Sequence, residues 1–186
     1  MDASMYSRAA KRTAEVVAGT KPEQFNDPTP CGDWDVRALL DHIISGCTVS
    51  AAGASERNEQ ASAGGDLVGD DHVASYERAA AAAAAAFEAP GAMEKTFHMP
   101  WGGTPGSAVL GTALADIVVH GWDLAQATGQ EIVIDDDVAE EVYGMTTSMM
   151  APKGKYPRGD RFAEPVDLPN HAPIRDKMLA YLGRKP

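Results

Sequence analysis

The chain has 186 residues, enough to bury a core without disulfides or metal staples. Apolar residues make up 44% and aromatics only 6%, so alanine supplies much of the apolar fraction and closely packed helices are expected. Sixteen basic against 27 acidic side chains leave a net charge of −11, a field that repels phosphate backbones and excludes a nucleic-acid partner from the expected ones.

No stretch reaches the roughly 18 uninterrupted apolar residues that a membrane span requires. Met1 to Arg8 shows no basic region followed by an apolar one, so neither a signal peptide nor a membrane partner is expected. Cys31 and Cys47 do not make a disulfide framework, and a cytoplasmic location is the expectation.

In chain order, the spacing of Ala9, Ala10, Thr13, Val16 and Val17 predicts a helix over 4–18, stopped at Gly19. A turn-rich stretch, 21–32, follows. A second helix is expected from an N-cap at Asp33, with Val36, Leu39, Leu40, Ile43, Ile44 and Cys47 on one face. The polar, glycine-rich segment 55–71 reads as a loop. A third helix covers 72–89, its alanine tract anchored by Tyr76 and Phe87 and ended by Pro90-Gly91.

Residues 94–99 read as one short extended segment and 101–106 as a tight turn with Ser107 as the next N-cap. The fourth helix is expected over 108–128, with Leu110, Leu114, Ile117, Gly121 and Leu124 inward and Gly129 as its stop. A shorter helix begins in Asp135-Asp136-Asp137, where carboxylates complement the helix dipole. A proline-rich, charged stretch, 151–173, leads to a last helix over 174–182. The whole, 1–186, is expected to be a single domain.

Asp116 and His120 stand four residues apart on the fourth helix. At about 100° per residue they lie about 40° apart, so both side chains can converge on one point. Asp116 also falls on the inward stripe, where an unpaired carboxylate is costly and a cation removes the cost. Carboxylate plus neutral imidazole suits zinc and other first-row divalent metals, but the same spacing also fits a plain hydrogen-bonded pair. His42 lies about 60° round from Leu39, at the flank of the second helix's apolar stripe, where it can face a cavity or solvent.

The run from Thr29 to His42, Thr-Pro-Cys-Gly-Asp-Trp-Asp-Val-Arg-Ala-Leu-Leu-Asp-His, resembles the opening signature of the DinB-like superfamily. It is closest to the branch containing the N-terminal domain of mycothiol-dependent maleylpyruvate isomerase. Asp116 to Ala125 resembles that branch's second signature, and Leu182 to Pro186 is similar to the tail of its small actinobacterial metal-binding members. The resemblance implies an all-α fold, a DinB-like four-helix bundle with extra short C-terminal helices, and a homodimer. It also implies a divalent metal, zinc before nickel, held by His42, Asp116 and His120. The isomerase carries glutamate where this chain has Asp116, and its separate C-terminal domain is not expected here.

Three protein ligands leave coordination positions open, as catalytic sites require. The activity implied is thiol chemistry: a low-molecular-weight thiol such as mycothiol, ionised by the metal and joined to an electrophile. A non-catalytic metal- or ligand-binding module and a maleylpyruvate-type isomerase stay open as alternatives.

Weaker signals surround this core. Trp34 and Trp122 can shape a pocket but fit core packing better. Asp123 can accept from an imidazole N–H, or serve as a surface pair or cap. Cys31 reads as a soft ligand, a redox partner or simply a small buried side chain. His72, His98 and His171 have no spacing partner and are expected on the surface or in turns. Gly102 to Ser107 has neither dinucleotide nor P-loop spacing, and Lys153, Lys155, Arg158 and Arg161 read as a solvated loop.

Overall fold

Three of the helices begin where an aspartate side chain accepts from the first turn's backbone. In the computed structural model, which describes residues 1–55, 65–150, 158 and 162–186, Asp2 accepts from Ser4 N, Asp35 from Ala38 N and Asp71 from Ala74 N. These caps open α1 (Ala3–Gly19), α2 (Val36–Gly53) and α3 (His72–Glu88). A hairpin of β1 (Thr96–Met99) and β2 (Gly102–Pro105) precedes α4 (Gly106–Thr128). Then come α5 (Asp136–Met149) and α6 (Ile174–Tyr181). The described chain is mostly helical, as the sequence predicts.

The chain divides into two compact units, 1–133 and 134–186. In the first, α1 and α2 each pack against both α3 and α4, so the corners run α1, α3, α2, α4 around a four-helix bundle. Leu39, Leu40, Tyr76, Ala83, Leu114 and Leu124 fill its core. Tyr6 meets Phe87 edge-on at 4.9 Å, and Phe87 stacks on Phe97 of the hairpin at 5.9 Å. In the second unit α5 packs on α6, with Val138, Val142, Met178 and Leu179 buried and Tyr143 edge-on to Tyr181 at 5.8 Å.

Helix α4 is long and apolar enough to cross a membrane, yet 67% of its most apolar window is buried inside the protein. It serves as a core helix of the bundle. Gly129, in the left-handed region at φ 68°, ends it as expected.

Three expectations need correction. The second helix starts at Val36 with Asp35 as its cap, because Asp33 is used in a turn in which Trp34 N donates to Cys31 O and Gly32 takes φ 66°. The fourth starts at Gly106 rather than after Ser107. The stretch 101–106 is not merely a turn: Gly102 to Pro105 pairs antiparallel with Thr96 to Met99, and Pro100-Trp101 makes the connection. Lys153, Lys155 and Arg161 lie outside the described residues. Arg158 sets its guanidinium 4.7 Å from the Tyr181 ring centre and donates to Ala163 O.

The crossing of α1 over α4 depends on Gly121. A Cβ there would sit 2.4 Å from Thr13 Oγ1, whose hydroxyl donates to Ile117 O across the helix pair. Gly121→Ala is therefore expected to cost about 1–3 kcal/mol through overpacking, despite alanine's better helix propensity. Urea unfolding of parent and variant measures it.

Candidate metal centre

Two helices and one turn deliver the site. From α2, His42 points Nε2 at Asp116 Oδ1 of α4, 3.2 Å away. From α4 itself, His120 brings its Nε2 to 3.5 Å from that same oxygen. The two imidazoles stand edge-to-face with centres 4.8 Å apart. Three donor atoms, one each from His42, Asp116 and His120, thus lie within 4.8 Å of one another. All three side chains are partly accessible: 36% for His42, 34% for Asp116 and 16% for His120.

The opposite edge of His120 is also engaged. Its Nδ1 lies 3.1 Å from Asp123 Oδ2, and Asp123 is fully buried. In a neutral ring, a buried carboxylate at this edge holds the proton on Nδ1, which turns the Nε2 lone pair toward Asp116 Oδ1. Two electron-rich atoms face each other there at 3.5 Å, an arrangement that a cation relieves. The donor set of two imidazole nitrogens and one carboxylate oxygen fits a first-row divalent metal on chemistry as well as on spacing.

Burial opposes charge on the His42 ring, but its hydrogen bond to Asp116 and the negative charges of Asp116 and Asp41 outweigh that. Its pKa is raised above the usual 6.5 as a result.

The turn before α2 supplies the surroundings. It lays the Trp34 ring 4.6 Å from His42 and 6.0 Å from His120, and it brings Cys31 Sγ to 2.9 Å from Asp123 Oδ2. Trp34 is 37% exposed, so it covers the histidines and is not a core residue, whereas Trp122 is buried as expected. Beside His42 an open cleft of about 700 Å³ is lined by Trp34, Arg37, Asp41, Ser45 and Asp66, among others. Arg37 pairs with Asp66 at 2.6 Å on its rim.

Cys31 and Asp123 do not join the His42–Asp116–His120 set as a fourth ligand; they meet His120 on its other nitrogen. Cys47 is buried, accepts from Tyr6 Oη at 3.3 Å, and has its thiol pushed up to about 11 by burial. Of the unassigned histidines, His98 and His171 are exposed as expected. His72 is half-buried, its Nε2 at 3.2 and 3.1 Å from the carbonyls of Val17 and Thr20 at the end of α1.

Gly46, one turn after His42, is the residue that sequence reasoning missed. A Cβ at this position would lie 3.1 Å from Asp116 Oδ2. Gly46→Ala is therefore expected to separate two readouts. Stability holds or rises by up to about 1 kcal/mol from helix propensity, while metal binding weakens as the carboxylate is displaced. Thermal unfolding of metal-free protein and a metal titration check the two halves.

The family described as the mycothiol maleylpyruvate isomerase N-terminal domain matches residues 6–125, which lie within the first unit and span both signatures. Proteins from two strains of Mycobacterium tuberculosis, each described only as uncharacterized, are 34% identical over 179 residues. The match covers 96% of this chain and 95% of theirs. No solved structure matches the chain at a significant level. With its bundle, its two signatures and a match over well more than half its length, the chain belongs to the family of the mycothiol maleylpyruvate isomerase N-terminal domain.

Proposed function

We propose that His42, Asp116 and His120 hold a divalent metal, zinc before nickel, and that the protein is a metal-assisted transferase using a low-molecular-weight thiol such as mycothiol. The observation that carries this reading is the aim of two imidazole Nε2 atoms at one carboxylate oxygen, at 3.2 and 3.5 Å. When bound, a divalent cation supplies the positive charge that lets a thiol ionise near neutral pH.

The chain's own residues do the rest. Asp123 fixes the His120 tautomer so that Nε2 is a donor atom, and Trp34 shields the two rings on one side. The cleft beside His42 gives a small thiol and an electrophile room to meet, which favours a catalytic role over a purely structural one. The family's mycothiol description supports the choice of thiol, and the reading places the protein in the cytoplasm, where such thiols stay reduced.

The test is thiol consumption by metal-loaded and chelator-stripped protein against a panel of electrophiles. Consumption that needs both metal and protein supports the reading. A metal-loaded protein that consumes no thiol and binds none overturns it.

A pH dependence follows from His42. Its ring must be neutral to donate to a metal, so affinity is expected to fall as pH drops, with a midpoint above the usual histidine value of 6.5. Without metal the sign reverses. The contact of His42 with Asp116 stabilises the fold fully below that usual value and is lost as pH rises through the raised one. Metal titrations and unfolding curves between about pH 5.5 and 8 check both slopes, a window in which histidine is the side chain that ordinarily titrates.

A further inference from the structure

His120 is the shared member of two donor sets, one on each ring nitrogen. Nε2 faces Asp116 and His42, while Nδ1 faces Cys31 Sγ at 3.5 Å and Asp123 Oδ2 at 3.1 Å. Cys31 and Asp123 are themselves 2.9 Å apart, and one donor atom from each of Cys31, His120 and Asp123 lies within 4.8 Å of the others. Two elements contribute to this convergence: the turn of Cys31 to Trp34, and α4, which carries both His120 and, on its buried face, Asp123.

We infer that Cys31, His120 and Asp123 form a second metal site, selective for thiophilic divalent cations such as Cd²⁺ and Zn²⁺. It excludes occupancy of the first set. The chemistry of the donors sets the selectivity, since a thiolate beside an imidazole and a carboxylate favours soft and borderline ions, whereas the nitrogen–oxygen set accepts harder ones. The charge balances: thiolate and carboxylate supply −2 against the cation's +2, with a neutral imidazole. On binding, the Cys31 S–H proton leaves to solvent. The His120 proton moves from Nδ1 to Nε2, where it faces Asp116 Oδ1.

Exclusion follows from that proton. A neutral imidazole has one lone pair, so His120 serves one set at a time. A cation on the sulfur side leaves only His42 and Asp116 on the other. This site goes beyond the proposed function and does not require the first set to be a metal site at all. Cys31 is partly accessible, so an ion can reach it, while the other cysteine, Cys47, is buried against Tyr6.

Chelator-stripped full-length protein titrated with Cd²⁺ tests the inference through the sulfur-to-metal charge-transfer absorption in the ultraviolet. The expected result is a band saturating at one tight equivalent in the parent, retained in His42→Ala and lost in Cys31→Ser. In the parent, Cd²⁺ should also slow alkylation of Cys31 at least tenfold, read by peptide mass spectrometry, which needs no variant to fold. Cd²⁺ binding without the band, a band that survives Cys31→Ser, or unchanged Cys31 alkylation would overturn it. A second tight equivalent would overturn the exclusion. Retention of the band in His42→Ala separates this site from the first, so either can fail alone.

Discussion

Replacing His120 with alanine is expected to weaken divalent-metal binding by more than 100-fold while leaving the bundle folded. Removing a partner that merely orients a metal ligand typically costs about 10–100-fold in affinity, and His120 is itself a proposed ligand, so its loss should exceed that range. The ring contributes to both donor sets found among the described residues, so its single substitution removes a ligand from each. Its side chain is only 16% exposed, and truncation removes the ring from Asp116 and Asp123 while their contacts with His42 and Cys31 remain. Metal titration by calorimetry, with circular dichroism as the folding control, reads both halves of the expectation.

The second large effect is expected at Asp123. This carboxylate is completely buried, and one of its oxygens lies 3.1 Å from His120 Nδ1 and 2.9 Å from Cys31 Sγ. Asp123→Ala removes the buried carboxylate that both the His120 Nδ1 edge and the Cys31 thiol face, and it opens a cavity. About 1–3 kcal/mol of stability should be lost on the first ground alone. Metal affinity should fall by about 10–100-fold, because the carboxylate no longer holds the ring proton on Nδ1. Asp123→Asn keeps an acceptor of the same shape and should recover part of both. Partial rescue of affinity by asparagine distinguishes a role in setting the tautomer from one of filling space.

Much of this centre is legible in the sequence because it is written in helical periodicity. Asp116, His120 and Asp123 stand at intervals of four and three, so they share a stripe of α4, and that spacing was the signal for Asp123 as well as for the other two. His42 is harder. Its place at the flank of an apolar face fits either a cavity or solvent; the resemblance of the run from Thr29 to His42 implies it as a ligand, and the packing of α2 against α4 brings it to Asp116. Cys31 is 89 residues from His120, and no spacing rule links a turn residue to a distant helix. Gly46 has no side chain to read, and its importance comes from what a Cβ would touch.

The same contrast holds for the fold. The long helices follow from their apolar stripes and their stops. The hairpin was read as an extended segment and a turn because its second strand, Gly102 to Pro105, has neither alternation nor β-branched residues apart from Thr104. Pairing with Thr96 to Met99, and burial of Phe97 and Met99 on the first strand, hold it in place instead. Asp33 and Asp35 are equivalent caps by residue type. The positive φ of Gly32 decides between them by using Asp33 in the preceding turn.

The most direct test of a metal centre built on α2 and α4 is the metal content of protein purified without chelator or affinity metal, compared with a His42→Ala, His120→Ala double variant. Near one equivalent of divalent metal in the parent and almost none in the folded variant is the predicted result. A parent that stays metal-free after loading with zinc, nickel and manganese would contradict it. His42, Asp116 and His120 would then be a hydrogen-bonded cluster of the bundle.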